Sequence, residues 1–173
     1  VDFEVVLRKR AMIRSFQPVP VEDEKIGRIL RNAWRAPSAG HLQPQDFIIV
    51  KDKDVKRRLS EAGFDQHFIE EAPVVIVVCS DTRRNVRRYR ERAIKFYSIT
   101  DGAFSSMIIL LTVVNEGLGA CLVGAFDDDE VSKVLGLPKE VKPIGIIPIG
   151  YPAEKPEKLT RIRLEKRLHY DRW

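Results

Sequence analysis

The chain is short of the residues that build staples and metal centres. It has two Cys, two Met and three His in 173 residues. Cys79 and Cys121 are too few for a disulfide framework, and neither sits at metal-ligand spacing. Both lie in apolar runs, as buried reduced thiols do. His41, His67 and His169 are far apart, with no carboxylate pattern around them, so no metal site is expected. No uninterrupted apolar run reaches transmembrane length, and the charged stretch Val1–Arg10 lacks a signal-peptide pattern. A soluble, cytoplasmic protein is expected. A phosphate-binding Walker loop is absent. Gly117-Leu118-Gly119 follows a helical pattern and precedes an apolar strand, the reverse of a dinucleotide fingerprint. Ser38 is not in a nucleophile elbow. There is no internal repeat and no low-complexity stretch.

Charge is abundant. Charged residues make up 32% of the chain and the formal net charge is +5. Part of the excess is concentrated at Arg83, Arg84, Arg87, Arg88, Arg90 and Arg92. Without interleaved aromatic platforms or a nucleic-acid motif, that run reads as a solvated helix face, and no nucleic-acid partner is expected. A chain of this length fits one domain, residues 1–173. It can bury roughly 70% of its unfolded surface without covalent staples.

Hydrophobic periodicity predicts a short helix over Phe3–Lys9 and an amphipathic one over Glu22–Trp34, with extended chain at Gln17–Val21 between them. A strand is predicted at Phe47–Val50 and a helix over Lys53–Ala62. The β-branched run Pro73–Cys79 suits a strand covered on both faces. The segment Asp81–Arg92 has no clear period. Phe96–Glu116 predicts a long helix, apolar nearly all round, of the kind buried at a domain centre or subunit interface. A short strand at Ala120–Val123, a helix at Asp127–Leu135 and a strand at Val141–Ile149 follow. Pro143 and Pro148 place that last strand at an edge or bulge. Mixed helices and strands in this order imply an α+β sandwich with a central mixed sheet.

The loop Ala36–Phe47 stands out. Pro37, Gly40 and Pro44 restrict its backbone. Ser38 and His41 lie between them, where they can meet a ligand. Arg10 with Arg14, and Arg161 with Arg163, are further candidates. Guanidinium groups suit a bidentate grip on phosphate, and Arg161 and Arg163 would point the same way on extended chain.

Four segments in order make the chain resemble the nitroreductase family of FMN-dependent oxidoreductases over nearly its whole length. They are Arg10-Ala11-Met12-Ile13-Arg14-Ser15-Phe16; Ala36 to Phe47; Gly117 to Phe126; and Ile149-Gly150-Tyr151-Pro152 with the ending His169-Tyr170-Asp171-Arg172-Trp173. The resemblance implies a nitroreductase-like α/β/α sandwich forming a homodimer, with one FMN per site at the subunit interface. It implies that the tail, residues 159–173, packs on the partner subunit. Arg10 would face the phosphate end of FMN, and Ala11 and Met12 would belong to the same cofactor-binding segment, Met12 through its backbone. Arg14 would face the ribityl chain and the N1/C2-carbonyl edge, where a cation stabilises reduced flavin. Arg161 and Arg163 match the basic pair at the phosphate. Pro37, Ser38, Ala39 and His41 match the loop under the ring, contributed by the partner. The Leu122, Val123 and Gly124 backbone matches the segment beside N5.

The implied reaction moves hydride from NADH or NADPH to flavin N5, then to a small acceptor of nitroaromatic, quinone or flavin type. No protein nucleophile is required. The chain departs from the family pattern at Met12 (usually Ser), His41 (often Asn), Gln45 (usually Trp) and Met107-Ile108 (commonly Gln-Asn). Two alternatives follow from these residues: a flavin carrier or sensor of the same fold with little turnover, and, from charge alone, a nucleic-acid binder.

Overall fold

The structure is a computed structural model that describes residues 2–156 and 159–173. Its centre is β2 (Val74–Asp81), buried along its full length. Alternation sends Val74, Ile76 and Val78 into one core and Val75, Val77 and Cys79 into a second. Burial pushes the Cys79 thiol up to about 12, so it stays protonated. Both faces of the strand need cover, and helices supply it on each side. The result is the expected α/β/α sandwich.

Strand β2 pairs with β1 (Gln45–Val50) on one side and with β4 (Val141–Gly150) on the other, and the short β3 (Gly119–Ala120) pairs with β4. All three ladders are antiparallel. The mixed character expected from the sequence comes down to one isolated parallel bridge, Met12 with Ala120. The long helical crossover does join two strands of like direction, β2 and β3. They are not neighbours, because β4 inserts between them.

Position β4 is therefore interior, and its prolines are accommodated differently. At Pro143 the register with β2 shifts between Val78 and Cys79, a bulge. The Pro148 carbonyl accepts the Cys121 N–H at 3.3 Å, so its ring nitrogen faces the side where β3 has already ended.

On one face lie α2 (Asp23–Ala33) and α6 (Ser98–Asn115), which pack together and on β2 and β4. The other face is covered by α3 (Lys53–Ala62), α4 (Phe68–Glu71) and α7 (Asp128–Leu135). The N-terminal α1 (Phe3–Lys9) lies against α6 and buries only Val6, leaving Phe3 and Leu7 outward. The segment without clear period forms a turn at Thr82–Arg84 and then α5 (Val86–Arg92), which a π-type turn at Ala93–Tyr97 joins to α6.

Val86–Asn115 is thus nearly continuous, and an 18-residue window in it has a mean hydropathy of 1.5. By length and composition it could cross a membrane, contrary to the expectation from uninterrupted runs. Half of that window is buried in this structure, with α6 against the sheet and α2, and core packing accounts for its apolar character.

Candidate functional site

The N-terminal segment after α1 is held in place from two sides. Ile13 N–H donates to the Ala120 carbonyl at 2.9 Å, and Met12 bridges Ala120. A Cβ on Gly119 would lie 2.8 Å from Ile13, so only glycine allows this approach. On the other side, Gln17 N–H donates to Tyr151 C=O and Ala153 N–H to Ser15 C=O. Glu154 Oε1 accepts both the Arg14 N–H at 2.5 Å and the Ser15 N–H at 3.0 Å. Arg10, Ala11, Met12 and Arg14 are therefore fixed beside the chain that follows β3.

That chain carries the next predicted group. Leu122 and Gly124 are exposed, and a Cβ on Gly124 would meet nothing within 4 Å. Val123 is buried and exchanges both backbone hydrogen bonds with Ile146, so its N–H is taken by the sheet. The Leu122 N–H approaches Met12 Sδ at 3.5 Å. Met12 thus replaces the hydroxyl of the family pattern with a weak sulfur acceptor for a neighbouring amide. The Arg14 guanidinium lies 5.8 Å from the Phe68 ring centroid. Burial pushes the Cys121 thiol up, and the Arg14 charge beside it opposes that shift.

The loop Pro37–His41 sits elsewhere. Ala39–His41 form one turn of 3₁₀ helix, and Gly40, His41 and Gln43 all have positive φ (58°, 56° and 49°). Two of the three are not glycine, a costly backbone that surrounding contacts must hold. Ser38 Oγ accepts the Gln43 N–H at 2.9 Å, His41 Nε2 lies 2.8 Å from Gln43 Nε2, and Arg84 donates to the Gln43 carbonyl at 3.1 Å. Asp101, buried in α6, accepts the Ala39 N–H. An open cleft of about 470 Å³ runs along the loop, bounded by Trp34, His41, Gln45, Phe47 and Arg84. Gln45 is buried, and neither amide atom has a hydrogen-bond partner among the described residues.

Two of the predicted groups are brought together: Arg10–Arg14 and Leu122–Gly124. Among the described residues no hydrogen bond or ion pair joins either to Pro37–His41. Arg161 and Arg163 lie in the exposed tail. Glu154 and Asp101 were missed by sequence reasoning. Asp101 had a signal, the lone carboxylate inside the apolar stretch Ser98–Asn115; Glu154, in a proline-rich connector, had none.

The donor set fits a flavin mononucleotide. Two guanidinium groups suit its phosphate and the electron-rich edge of its ring, and the backbone at Gly124 is open to a planar group.

Comparison with known proteins gives the class. A profile of the nitroreductase family matches residues 7–66 and 60–151. The chain belongs to the nitroreductase family. It is 32% identical to an NADH dehydrogenase of Thermus thermophilus, over 95% of this chain and 94% of that one. It is 31% identical to an NAD(P)H-dependent FMN reductase of Bacillus subtilis, over 92% of this chain and 69% of that one. A solved structure from Parabacteroides distasonis, provisionally named an NADH dehydrogenase/NAD(P)H nitroreductase, superposes with a TM-score of 0.88. It is 27% identical, and the match covers 99% of this chain and 98% of that one.

Proposed function

We propose that this chain is an FMN-dependent NAD(P)H oxidoreductase of the cytoplasm that works as a homodimer. Its acceptor is a small organic molecule of nitroaromatic, quinone or flavin type. The observation that carries the reading is the division of the candidate site. Arg10–Arg14 and Leu122–Gly124 make one wall within a chain, while Pro37–His41 is held by other elements, α6 through Asp101 and the turn that carries Arg84, with no hydrogen bond to that wall among the described residues.

A second copy would complete the pocket. The outward face of α6, with Ile99, Phe104 and Met107 exposed, supports such an assembly, as do Phe96 in the turn before it and Phe3 and Leu7 beside it. The tail supports it too: Leu159, Ile162, Leu164, Leu168, Tyr170 and Trp173 are all exposed. In this reading the tail packs on the partner and brings Arg161 and Arg163 to the phosphate end.

Bound FMN would supply the hydride-transfer chemistry between the nicotinamide and the acceptor. The protein's part is binding and electrostatics. Arg10, Arg161 and Arg163 neutralise the phosphate. Arg14 places a cation at the ring edge that becomes negative on reduction, which favours the reduced state. Pro37–His41 of the partner provide a stiff floor, and the open backbone at Gly124 admits the ring. No side chain here is needed as a nucleophile.

The test is direct. Purified protein should be yellow, with one FMN per chain, and NADH or NADPH should bleach it anaerobically. Added quinone or nitroaromatic should then restore the colour. Arg14→Ala should weaken FMN binding about tenfold or more, the loss of about 1.4 kcal/mol or more. Colourless protein that fails to take up added FMN would sink the proposal. Bound flavin that neither nicotinamide reduces would instead support the carrier or sensor reading.

A further inference from the structure

The arginines of α5 are not used by the site described above. We propose that they form an anion site for the phosphates of the dinucleotide reductant, biased toward the 2′-phosphorylated form, NADPH. The proposal rests on the functional reading above for its place beside the flavin, and on the following geometry for its chemistry.

Helix α5 is seated on the candidate cofactor loop. A Cβ built on Gly40 would lie 2.5 Å from the Tyr89 hydroxyl and 2.9 Å from Arg88 Nη1, so both side chains cover the loop backbone. Arg84 ties the base of the segment to the loop through the Gln43 carbonyl and Asp46.

Within the run the arginines divide sharply. Arg83 is paired with Asp81, and Arg84 with Asp46 and Asp81. Arg87, Arg88, Arg90 and Arg92 are exposed, and none has an ion-pair partner among the described residues. The nearby acid Glu91 is engaged by Lys95. Four like charges on one short helix repel each other, and a bound polyanion would lower that repulsion.

Aromatic rings hold two of these cations in place. Arg88 Cζ lies 5.3 Å from the Tyr89 centroid. Arg92 Cζ lies 4.6 Å from the Phe96 centroid and 5.4 Å from that of Tyr97. Tyr89 and Tyr97 are themselves 4.7 Å apart. Rings at these distances favour the cations and restrict their positions, Arg92 Nε donates to the Tyr97 hydroxyl at 3.4 Å, and a guanidinium keeps further N–H donors suited to phosphate oxygens. At Arg90 the backbone leaves helical geometry (φ 49°, ψ −130°), a strained conformation of the sort concentrated at ligand sites.

Charge selects the ligand. A pyrophosphate brings about two negative charges, and a 2′-phosphomonoester adds about −1.5 to −2 at pH 7. Arg88 and Arg92, the two cations backed by rings, match the charge that the 2′-phosphomonoester adds.

The experiment uses the full chain as purified. Adenosine 2′,5′-bisphosphate and AMP are titrated calorimetrically at low and high salt, and the NADPH/NADH ratio of kcat/KM is measured on the flavin-loaded protein. The bisphosphate should bind about tenfold more tightly than AMP, a difference of about 1.4 kcal/mol. The paired substitution Arg88→Gln with Arg92→Gln should abolish that margin. It should lower the NADPH/NADH ratio by a similar factor through KM. Arg88→Lys, which keeps the charge, should retain part of it. Equal binding of the two nucleotides, or a margin that survives the paired substitution, overturns the proposal. So does an oligonucleotide that outcompetes the bisphosphate at the same arginines, which would make the run a nucleic-acid surface. Failure to bind FMN overturns the functional reading alone, because the bisphosphate titration needs no flavin and still decides the site.

Discussion

Asp101 of α6 accepts the backbone N–H of Ala39 with both carboxylate oxygens, at 3.2 and 3.3 Å, and is 2% exposed. One buried acid thereby fixes the loop that carries Ser38 and His41. Burial raises its pKa, and the Ala39 N–H opposes that by favouring the charged form. A carboxyl whose folded pKa is raised contributes stability that is fully present below its unfolded value, near 4, and is lost as pH rises through the folded value. Asp101→Asn keeps an acceptor for Ala39 and removes the buried charge. Its stability relative to the parent should therefore improve from about pH 4 toward pH 7. Asp101→Ala leaves the Ala39 N–H without a partner and should cost about 1–3 kcal/mol. Thermal unfolding of both variants across that pH range checks the sign. An Asn variant whose relative stability falls with pH would refute it.

Gly102→Ala sets two effects against each other. Alanine gains about 1 kcal/mol over glycine inside a helix. A Cβ at this position would lie 2.7 Å from Ile144 Cγ2 and 3.0 Å from its Cβ, where α6 packs on β4. Ile144 is β-branched and next to the β4 bulge, so it has little room to turn. Overpacking costs about 1–3 kcal/mol. The net should be destabilising, read as a lower urea midpoint with an unchanged m-value.

Much of this architecture was legible. The unbroken β-branched run Val74–Val78 announced a strand covered on both faces, and the structure has two cores meeting there. The stops after α6 and α7 were readable from glycine, with Gly117 and Gly136 both at positive φ. The strand order was not legible. Nothing local says that β4 inserts between β2 and β3, since that follows from which apolar faces fit together. The candidate site was half legible. Arg10, Arg14 and the Pro37–His41 loop came from motif and charge. Glu154 and Asp101 act on backbone N–H groups across the fold, 140 and 62 residues from their partners, and such pairing leaves no local pattern.

Gln45→Met tests the buried amide at the start of β1. Both its amide atoms are buried without a hydrogen-bond partner among the described residues. An unpaired buried polar group costs about 1–3 kcal/mol, and methionine fills a similar volume with adaptable packing. The variant should gain stability by up to that amount in equilibrium urea unfolding. Loss of stability instead would mean that the amide is satisfied by bound water or ligand in solution.

The last prediction concerns the face of α6 that the single chain leaves bare. Ile99, Ala103 and Met107 recur at helical spacing, with Phe104 beside them and Phe96 in the turn that leads into the helix, and all are exposed. Substituting Ile99 and Met107 by Glu puts two charges on that face without touching either core. Secondary structure should therefore be unchanged by circular dichroism. If a second copy covers this face, desolvating two unpaired carboxylates is prohibitive, and sedimentation should show a monomer. FMN affinity should fall in parallel although Arg10, Arg14 and Gly124 are untouched, because the Pro37–His41 floor then has no partner to support. A variant that stays dimeric and holds FMN would place the interface on another surface. A monomer that still binds FMN tightly would show that one chain completes its own pocket, and the shared-site reading would have to be abandoned.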